Sequence, residues 1–470
     1  MYSKICRSVG RFFYGFGERM YGRGGTVLAK QTHEIRDPIH NFIRLDSDER
    51  RVLDSRPFQR LRYIHQLAMS YLVYPGATHR RFEHSLGVME LASRIFDVVT
   101  HPANVTDEIR EILPEITQTH QLPYWRRVVR MAALCHDIGH LPFSHAAEKE
   151  LLPGGWDHER LTKELILSEE MREIWQHMTP PLRAEDVAKI AVGPRKYPEQ
   201  QFTNWEAILS EIIVGDAFGA DRMDYLLRDS YHAGVAYGRF DHFRLIDTLR
   251  LLPSTPTDDQ TGIPEPALGV EEGGLQSAEA LLLARYFMYS QVYLHPVRRI
   301  YDIHLKDFLR EWLPNGRFST DLDQHLLMTD NEVISAIRKA AEDAQAPGHD
   351  PAMRIVQRKH FRVLYRRHPG DVEINPEAGR AVYSAAVKEF GSNAVRHDQY
   401  TQKGSAPDFP VLIYPNMIVS AFSLSPVLRG LPVYAIDYVF VDPDKLVEAE
   451  RWLRNNREKL IQFPYEGEAE

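Results

Sequence analysis

The stretch LCHDIGH at residues 134–140 places polar side chains inside an otherwise apolar helical pattern. His136 follows Val129 and Ala132 at helical steps, which predicts a position on a buried face. Asp137 lies about 100° further round the same helix, so the two side chains can approach one point. Burying such a pair is unfavourable unless a cation or hydrogen bonds compensate for it. The stretch alone leaves two interpretations open: a metal site, or a hydrogen-bonded core histidine with a capping aspartate.

The composition is that of a globular protein without extreme charge. The 470 residues are 43% hydrophobic and 26% charged, which suits one to three domains. The net charge of −8 gives no support to general nucleic-acid binding, although a local basic groove for an anionic ligand is compatible with it. The two cysteines, Cys6 and Cys135, argue against a disulfide framework and a cysteine-rich zinc site. We therefore expect a cytoplasmic protein.

The sequence predicts neither a membrane-spanning helix nor a signal peptide. No apolar run approaches the roughly 18 residues that a spanning helix needs. The N-terminal segment MYSKICRSVGRFFYGFGERMYGRGG is basic and aromatic but lacks the apolar core of a signal peptide. We interpret it as an arm packed against a subunit; contact with a membrane or with nucleic acid is the alternative.

The periodicity of apolar residues changes along the chain. Helical spacing dominates from about 47 to 250 and returns over 278–313, while 251–274 reads as a loop with a short hairpin. VLIYP and VYAIDYVFVD are typical of strands, and KLVEAERWLRNNREKL of a closing helix. The predicted fold is mainly α, a helical bundle with a smaller C-terminal α+β lobe. The predicted units are an N-terminal arm (1–32), a catalytic domain (33–315) and the C-terminal lobe (316–470).

Further metal-capable side chains occur on other predicted helices. His84 in RRFEHSLGVMELA precedes Val88 and Leu91 at helical steps, so it points inward. GADRMDYLLRDSYHAG contains Asp221 on a third helix, with Tyr225 and Asp229 four and eight positions further on. Together with His136 and Asp137 these residues would offer four ligands and leave coordination positions open for water and substrate. Spacing alone suggests this set without identifying it.

The motifs FEHSLG, LCHDIGH and DRMDY resemble those of the HD-domain metal-dependent phosphohydrolases. The longer blocks DPIHNFIRL, FQRLRYIHQLAMSYLVYPGATHRRFEHSLG, HDIGHLPFSHAAE, WDHE and DRMDYLLRDSYHAG are similar to the deoxynucleoside triphosphate triphosphohydrolases of that family. VEEGGLQSAEALLLARYFMYSQVYLHP resembles the bacterial branch in particular. The resemblance extends over roughly residues 33–310 and also includes the mammalian enzyme with a sterile-alpha-motif domain.

The resemblance implies a bound divalent metal, with Mn, Fe, Mg and Zn all open. The implied metal ligands are His84, His136, Asp137 and Asp221. The residues implied to surround the phosphates and carry the acid–base chemistry are His140, His145, Glu148 and His158. We expect His140 one helical turn after His136, with Pro142 ending the helix and Ser144 capping the next one. His145 and Glu148 would then pair beside His158.

The resemblance also implies residues that bind the substrate. They are Gln66, Leu67, Arg81, Arg222, Tyr225, Asp229 and Tyr301. Gln66 and Leu67 would lie against the deoxyribose, and Asp229 and Tyr301 would face its 3′-hydroxyl and ring. Arg222 stands where the mammalian enzyme has lysine, which keeps the charge and changes the donor geometry. Tyr293 and Val297 stand where that enzyme has Arg and His, so base preference is not transferable.

Asp54, Gln59 and Arg62 resemble a trio that recognises guanine at an activating site between subunits. Aspartate and arginine can read the guanine edge through paired hydrogen bonds. A helix start followed by ordinary surface polar residues is the alternative, and Arg36 departs from the mammalian asparagine. The implied partners are an activating nucleotide of the GTP or dGTP type and further copies of the chain, with a tetramer as one form.

The function implied is hydrolysis of deoxynucleoside triphosphates to a deoxynucleoside and inorganic triphosphate. The metal would activate water for attack on the α-phosphorus. One alternative is an HD-domain phosphohydrolase for another nucleotide or phosphoester. A second alternative is a nucleotide-sensing scaffold without catalysis, against which the completeness of the ligand and acid–base set argues.

Overall fold

A computed structural model describes residues 32–144, 148–254, 265–402 and 406–462. The predicted N-terminal arm therefore lies almost entirely outside the described residues, and so does His145. Within the described ranges, no helix combines the length and apolar character needed to cross a membrane.

The order of elements shows a helical body followed by a mixed region. The first elements are β1 (His33–Asp37), β2 (Asn41–Leu45), α1 (Ser47–Leu53), α2 (Arg56–Arg60), α3 (Arg81–Val99), α4 (Asp107–Ile112), α5 (Leu122–Cys135), α6 (Glu148–Leu151), α7 (His158–Ile166), α8 (Glu169–Gln176), α9 (Ala184–Val192), α10 (Asn204–Val214), α11 (Ala220–Ala233) and α12 (His242–Thr248). There follow β3 (Leu249–Pro253), β4 (Pro266–Glu271), α13 (Leu275–Met288), α14 (Pro296–Trp312), α15 (Leu322–Leu327), α16 (Asp330–Glu342) and α17 (His349–Val356). The final elements are β5 (Arg362–Arg366), α18 (Pro369–Ile374), α19 (Ala378–Phe390), β6 (Val395–Thr401), β7 (Pro410–Ile413), β8 (Met417–Ser420), α20 (Ala421–Leu424), α21 (Pro426–Arg429), β9 (Ala435–Val441) and α22 (Leu446–Gln462).

The helices α3, α5, α9, α10 and α11 build the largest hydrophobic core. On α3 the stripe Val88, Leu91 and Ile95 is fully buried, as its helical spacing predicts. Since α3 packs against both α5 and α11, side chains on its inward face meet those of the two neighbours. This packing brings the predicted metal ligands toward one another.

Helix α5 ends at Cys135, earlier than predicted. Residues 136–139 form turns, so the expected continuation of the helix to Pro142 is wrong. Gly139 explains the change of direction, because a Cβ there would lie 2.2 Å from the backbone nitrogen of Thr162 on α7. The N–H of Gly139 donates to Thr162 Oγ1 at 3.0 Å. The chain after Cys135 thus packs its backbone directly against α7.

The hairpin of β1 and β2 was not predicted from the sequence. Asn41 has φ 64° at its turn, a left-handed conformation that asparagine tolerates. Asp37 accepts the backbone N–H groups of Ile39 and His40, each at 2.8 Å. Exposed side chains alternate with more buried ones in both strands, but five residues are too few for this pattern to be recognised in the sequence.

The segment predicted as one helix over 278–313 is divided. A π-helical turn over Tyr289–Tyr293 follows α13, and Pro296 opens α14. Proline has no backbone N–H to donate, so it is favoured at the first turn of a helix and not inside one.

Two sheets complete the fold, which is mainly α with a smaller C-terminal α+β region, as predicted. The three-stranded sheet has the order β5-β9-β6 and is antiparallel. The four-stranded sheet has the order β3-β4-β7-β8, with β4 and β7 parallel. The predicted hairpin around 251–274 is confirmed as β3 and β4, and the predicted strands and closing helix as β7, β9 and α22.

Candidate metal centre and catalytic site

Three of the four predicted metal ligands meet between α3, α5 and α11. His84 lies on α3, His136 caps the end of α5, and Asp221 begins α11. His84 Nε2 is 3.0 Å from Asp221 Oδ1, and His136 Nε2 is 3.5 Å from the same oxygen. Their ligand atoms lie within 4.8 Å of one another. This spacing allows the three side chains to hold a single ion.

The second nitrogen of each histidine is fixed by a hydrogen bond. His136 Nδ1 lies 2.8 Å from the carbonyl oxygen of Ala133, which can only accept, so Nδ1 carries the proton. Its Nε2 is buried and has no hydrogen-bond partner within the described ranges. His84 Nδ1 lies 2.8 Å from Asp224 Oδ2. A nitrogen left free by its ring partner is the usual arrangement of a metal-binding histidine, so these residues fit a metal ion.

The electrostatics of the cluster favour a positive charge. Burial lowers the pKa of His84, but hydrogen bonds with Asp221 and Asp224 outweigh it and raise the pKa to about 10. Burial raises the pKa of Asp221, but the close approach of His136 and His84 outweighs burial and brings the pKa below its usual range. The carboxylates therefore stay ionised in a buried place, where a divalent cation would compensate them.

Asp137, the fourth predicted ligand, lies beside this group. Its Oδ1 is 3.4 Å from His136 Nε2, and its Oδ2 is 3.6 Å from His84 Nε2. Its carboxylate also accepts a hydrogen bond from Arg81 and lies 3.1 Å from His140 Nε2. The structure thus brings Asp137 to the cluster but pairs it with Arg81, which was predicted to contact phosphate.

A second cluster contains three of the predicted acid–base residues, His140, Glu148 and His158, together with Glu159. The rings of His140 and His158 stack with centroids 3.9 Å apart. His158 Nδ1 lies 2.7 Å from Glu148 Oε1 and 3.1 Å from Glu159 Oε2. Glu148 was expected to pair with His145, which lies outside the described residues; in the described part it pairs with His158. Glu159 was given no role, although the block WDHE placed it next to His158.

The two stacked histidines have opposite pKa shifts. Burial and the neighbouring charges of Arg81 and His158 lower the pKa of His140 well below its usual value. Burial also lowers the pKa of His158, but the hydrogen bond and charge of Glu148 outweigh it and raise the pKa. The neutral imidazole of His140 therefore stacks on the imidazole of His158, which tends to stay protonated. A protonated imidazole in this place is suited to proton donation.

Asp229 lies at the other end of α11 from Asp221, with both its oxygens engaged. Its Oδ1 is 2.7 Å from His79 Nε2, and its Oδ2 accepts from the Tyr293 hydroxyl at 2.7 Å. The ring of Tyr225 lies edge-on to Tyr293 at 6.1 Å between centroids. Asp229 and Tyr225 lie on α11 as predicted, whereas His79 was given no role and Tyr293 was noted only as a departure from the family.

Tyr301, which was predicted to face the sugar, lies in a hydrophobic environment. It is fully buried on α14, with its ring 4.9 Å from that of His360. It belongs to a hydrophobic cluster with Phe308 and Leu309, and Val297 packs against the same cluster. The division of the predicted 278–313 helix separates Tyr301 from Tyr293.

The remaining predicted binding residues lie around α3 and α11. Gln66 and Leu67 are buried in the segment before α3, and Gln66 Oε1 has no hydrogen-bond partner within the described ranges. Arg222 donates to the carbonyl and carboxylate of Asp216 at 2.6 and 2.8 Å. Arg285, for which no role was predicted, donates to the same carbonyl at 3.3 Å.

Of the predicted nucleotide-reading trio, Asp54 caps the end of α1, Gln59 lies in α2 and Arg62 lies in the turn directly after α2. The Arg62 side chain donates to Gln59 Oε1 at 2.9 Å and covers the ring of Phe82 at 3.5 Å. Asp54 accepts instead from Arg50 at 2.8 Å. The structure brings Gln59 and Arg62 together, while the Asp54 carboxylate is engaged within α1.

Sequence reasoning missed the residues that support His84 from behind. Asp224 accepts from His40 Nε2 at 2.7 Å and from Arg228 Nε at 2.8 Å, and Arg228 also binds Asp37 at 2.8 Å. All are buried. A usable signal was the i, i+4 spacing of Asp224 and Arg228 on the apolar side of α11, where buried charges need each other.

Comparisons with known proteins agree with this geometry. Residues 81–199 match the HD domain family, and residues 240–375 match the HD associated region. An uncharacterised protein, YwfO, of Bacillus subtilis is 30% identical over 81% of both chains. The deoxynucleoside triphosphate triphosphohydrolase SAMHD1 of Homo sapiens is 30% identical over 76% of this chain, which spans only 58% of the human protein.

A solved structure extends the likeness to the fold. The crystal structure of a hypothetical protein from Aquifex aeolicus is 33% identical and has a TM-score of 0.71, covering 90% of this chain and 100% of the other. The matched HD domain begins at α3 and contains His84 and His136, two members of the metal cluster. The chain therefore belongs to the HD-domain phosphohydrolase family.

Proposed function

We propose that this protein is a metal-dependent deoxynucleoside triphosphate triphosphohydrolase that releases a deoxynucleoside and inorganic triphosphate. The observation that carries the proposal is the adjacency of two clusters: the His84–His136–Asp221 group and the stacked pair of His140 and His158. Asp137 bridges them, since it approaches both His136 and His140. The likeness to a human enzyme of this activity supports deoxynucleoside triphosphates as the substrate class.

The reaction adds the hydroxyl of water to the α-phosphorus and breaks its bond to the 5′ oxygen. His84, His136 and Asp221, with Asp137 beside them, would hold a divalent metal, which would lower the pKa of water and polarise the phosphoryl oxygen. The departing 5′ oxygen needs a proton, and His158 is the group kept protonated by its neighbours. Arg81 lies beside Asp137 and supplies positive charge toward the phosphates.

The recognition of the nucleotide is assigned to groups on both sides of these clusters. Asp229, oriented by His79 and Tyr293, accepts the hydrogen bond of the sugar 3′-hydroxyl. Gln66 and Leu67 close the sugar side and leave no room for a 2′-hydroxyl. Arg222 and Arg285 converge on Asp216 and provide charge for the outer phosphates.

The proposal includes activation by a guanine nucleotide at an oligomer interface. Gln59 and Arg62 form a joint hydrogen-bonding surface, and the guanidinium is held in place over Phe82. Asp54 would exchange its contact with Arg50 for the guanine edge. Because that contact is exposed, it contributes little and is readily exchanged.

Product analysis tests the reaction. The Mn²⁺- or Mg²⁺-loaded protein is incubated with dGTP and dATP, each with and without GTP as activator, and should convert them to deoxynucleoside and triphosphate. GTP itself should remain intact. His136→Ala should abolish turnover, because it removes the ligand with the free buried nitrogen. The exposed His177→Ala is the matched control and should retain full activity. Release of pyrophosphate or orthophosphate, or no product with either metal and GTP, would contradict the proposal.

The support of His84 by Asp224 predicts a change in metal affinity. Asp224→Asn should weaken Mn²⁺ binding roughly 10- to 100-fold, since a carboxylate behind a ligating histidine orients it and raises its basicity. Titration calorimetry measures the effect, and circular dichroism checks that the variant is folded. Asp186→Asn, which alters a buried carboxylate bonded to Tyr124 Oη at 2.6 Å, is the control and should bind Mn²⁺ normally. Equal affinities in the folded variants would refute the supporting role.

The pairing of Glu148 with His158 predicts a shift in the pH profile. The hydrogen bond raises the pKa of His158, so the imidazole stays protonated to higher pH. Glu148→Gln should lower that pKa, and the alkaline limb of the kcat profile should move to lower pH. The exposed Glu173→Gln serves as control and should leave the limb in place. An unmoved limb in Glu148→Gln would exclude His158 as the proton donor.

A further inference from the structure

Asp330 is a fully buried carboxylate at the first position of α16. Its Oδ1 accepts the backbone N–H of Phe143 at 2.8 Å. Its Oδ2 accepts the backbone N–H of His65 at 2.7 Å and lies 2.6 Å from Nδ1 of the same residue. The positive end of the 13-residue helix α16 stabilises the buried negative charge. Asp330 lies in the HD associated region. Its side chain therefore joins Phe143 of the HD domain to His65, which precedes that domain.

The first of these segments is a turn with an unfavourable backbone conformation, shortly after the stretch LCHDIGH. Phe143 and Ser144 have φ 56° and 57°, a left-handed conformation that bulky L-residues rarely adopt. Such backbone persists only where surrounding contacts hold it. The bond from Phe143 to Asp330 is one such contact, and the stacking of Phe143 on the His65 ring at 6.1 Å is another.

A chain of hydrogen bonds connects this turn with the catalytic clusters. The Ser144 hydroxyl donates to the His65 carbonyl oxygen at 3.2 Å and accepts from Arg81 Nε at 2.8 Å. Arg81 in turn donates to Asp137, which lies beside the metal ligands. Asp330, His65, Ser144, Arg81 and Asp137 are thus linked without a gap.

A parallel connection runs through Arg60. Its Nη1 donates to the carbonyl oxygen of His140 at 2.7 Å, while its Nε and Nη2 donate to the Met328 carbonyl oxygen at 3.0 and 2.8 Å. Met328 and Asp330 flank Thr329, which caps α16. The start of α16 therefore holds both His140 and the turn that follows it.

We propose that Asp330 is a positioning residue for the proposed hydrolysis, which sets the turn at Phe143–Ser144 and through Ser144 the orientation of Arg81. It touches no reacting atom. The inference rests on the proposed function for its kinetic readout only. The proposal gives the HD associated region a role in the site, because its residue Asp330 holds the turn at Phe143–Ser144 in place.

The test compares Asp330→Asn with Asp186→Asn in the full-length, Mn²⁺-loaded protein. Asn cannot accept at both atoms, so either Phe143 or His65 loses its acceptor. We expect kcat with dGTP to fall roughly 10- to 100-fold, because a displacement of about 1 Å in a positioned group has such effects. Mn²⁺ affinity should be unchanged. Asp186→Asn should keep kcat, since its partner Tyr124 lies outside this chain of contacts.

Amide hydrogen exchange in the segment 140–144 gives a readout that needs no substrate. Exchange should accelerate in folded Asp330→Asn and stay slow in Asp186→Asn. Wild-type kcat together with wild-type exchange in Asp330→Asn would overturn the inference. An inactive wild-type protein would refute the proposed function instead, and the exchange comparison would still decide whether Asp330 holds the turn.

Two milder variants cover the case in which Asp330→Asn does not fold. His65→Phe keeps the ring stacking on Phe143 and Tyr71 and removes only the Nδ1 hydrogen bond to Asp330. Ser144→Ala breaks the next link toward Arg81. Both should lower kcat without changing Mn²⁺ affinity, and the double variant should lose no more than the stronger single one, because the two substitutions interrupt one path. Fully additive losses, or wild-type kcat in both, would overturn the inference.

Discussion

The buried carboxylate of Asp224 is the interaction on which the site depends. It accepts hydrogen bonds from the β1–β2 turn through His40, from α3 through His84 and from its own helix through Arg228. Charges so deeply buried are tolerated only as partners, and removing one of them typically costs about 3–5 kcal/mol. The same carboxylate also limits its surroundings, since a Cβ at Gly87 would lie 1.9 Å from Asp224 Oδ1. Asp224 thus fixes both how close α3 and α11 come and which nitrogen of His84 is directed at Asp221.

The site extends outward from this interaction in layers of increasing exposure. The His84 and His136 rings are buried, whereas the Asp221 side chain keeps 30% of its surface exposed. Water and substrate can therefore reach the cluster from the side of Asp221. The arginines around the cluster also differ in their exposure to solvent. Arg81 is buried beside Asp137, whereas Arg222 is bound by the exposed Asp216. Positive charge is therefore held by burial beside the metal cluster at Arg81 and is less restrained at Arg222.

The helical body was largely predictable from periodicity, whereas the metal-ligand set was selected by the resemblance to the HD-domain family. His84 and His136 point inward at positions that the apolar stripes define, and Asp221 begins a helix whose motif is distinctive. The supporting role of Asp224 could not be predicted. Two of the residues around it, His40 and Asp37, come from a hairpin that the sequence pattern does not reveal. The end of α5 was missed because Gly139 acts through contact with α7, which the local sequence does not show.

The contact of Tyr293 was missed for a similar reason. A π-helical turn and Pro296 divide the segment predicted as one helix, and the Tyr293 hydroxyl donates to Asp229. Such π-helical turns are often found at functional sites and leave little trace in the local sequence.

The parallel pairing of β4 with β7 has a consequence for the order of synthesis. Val270 is matched with Val411, so β4 leaves the ribosome about 140 residues before its neighbour, a count that follows from the pairing register. During that interval the β3–β4 hairpin has one strand edge with unsatisfied amide and carbonyl groups, which can pair with another chain. The nascent chain can therefore misassemble along this edge until the C-terminal region is complete and β7 closes it.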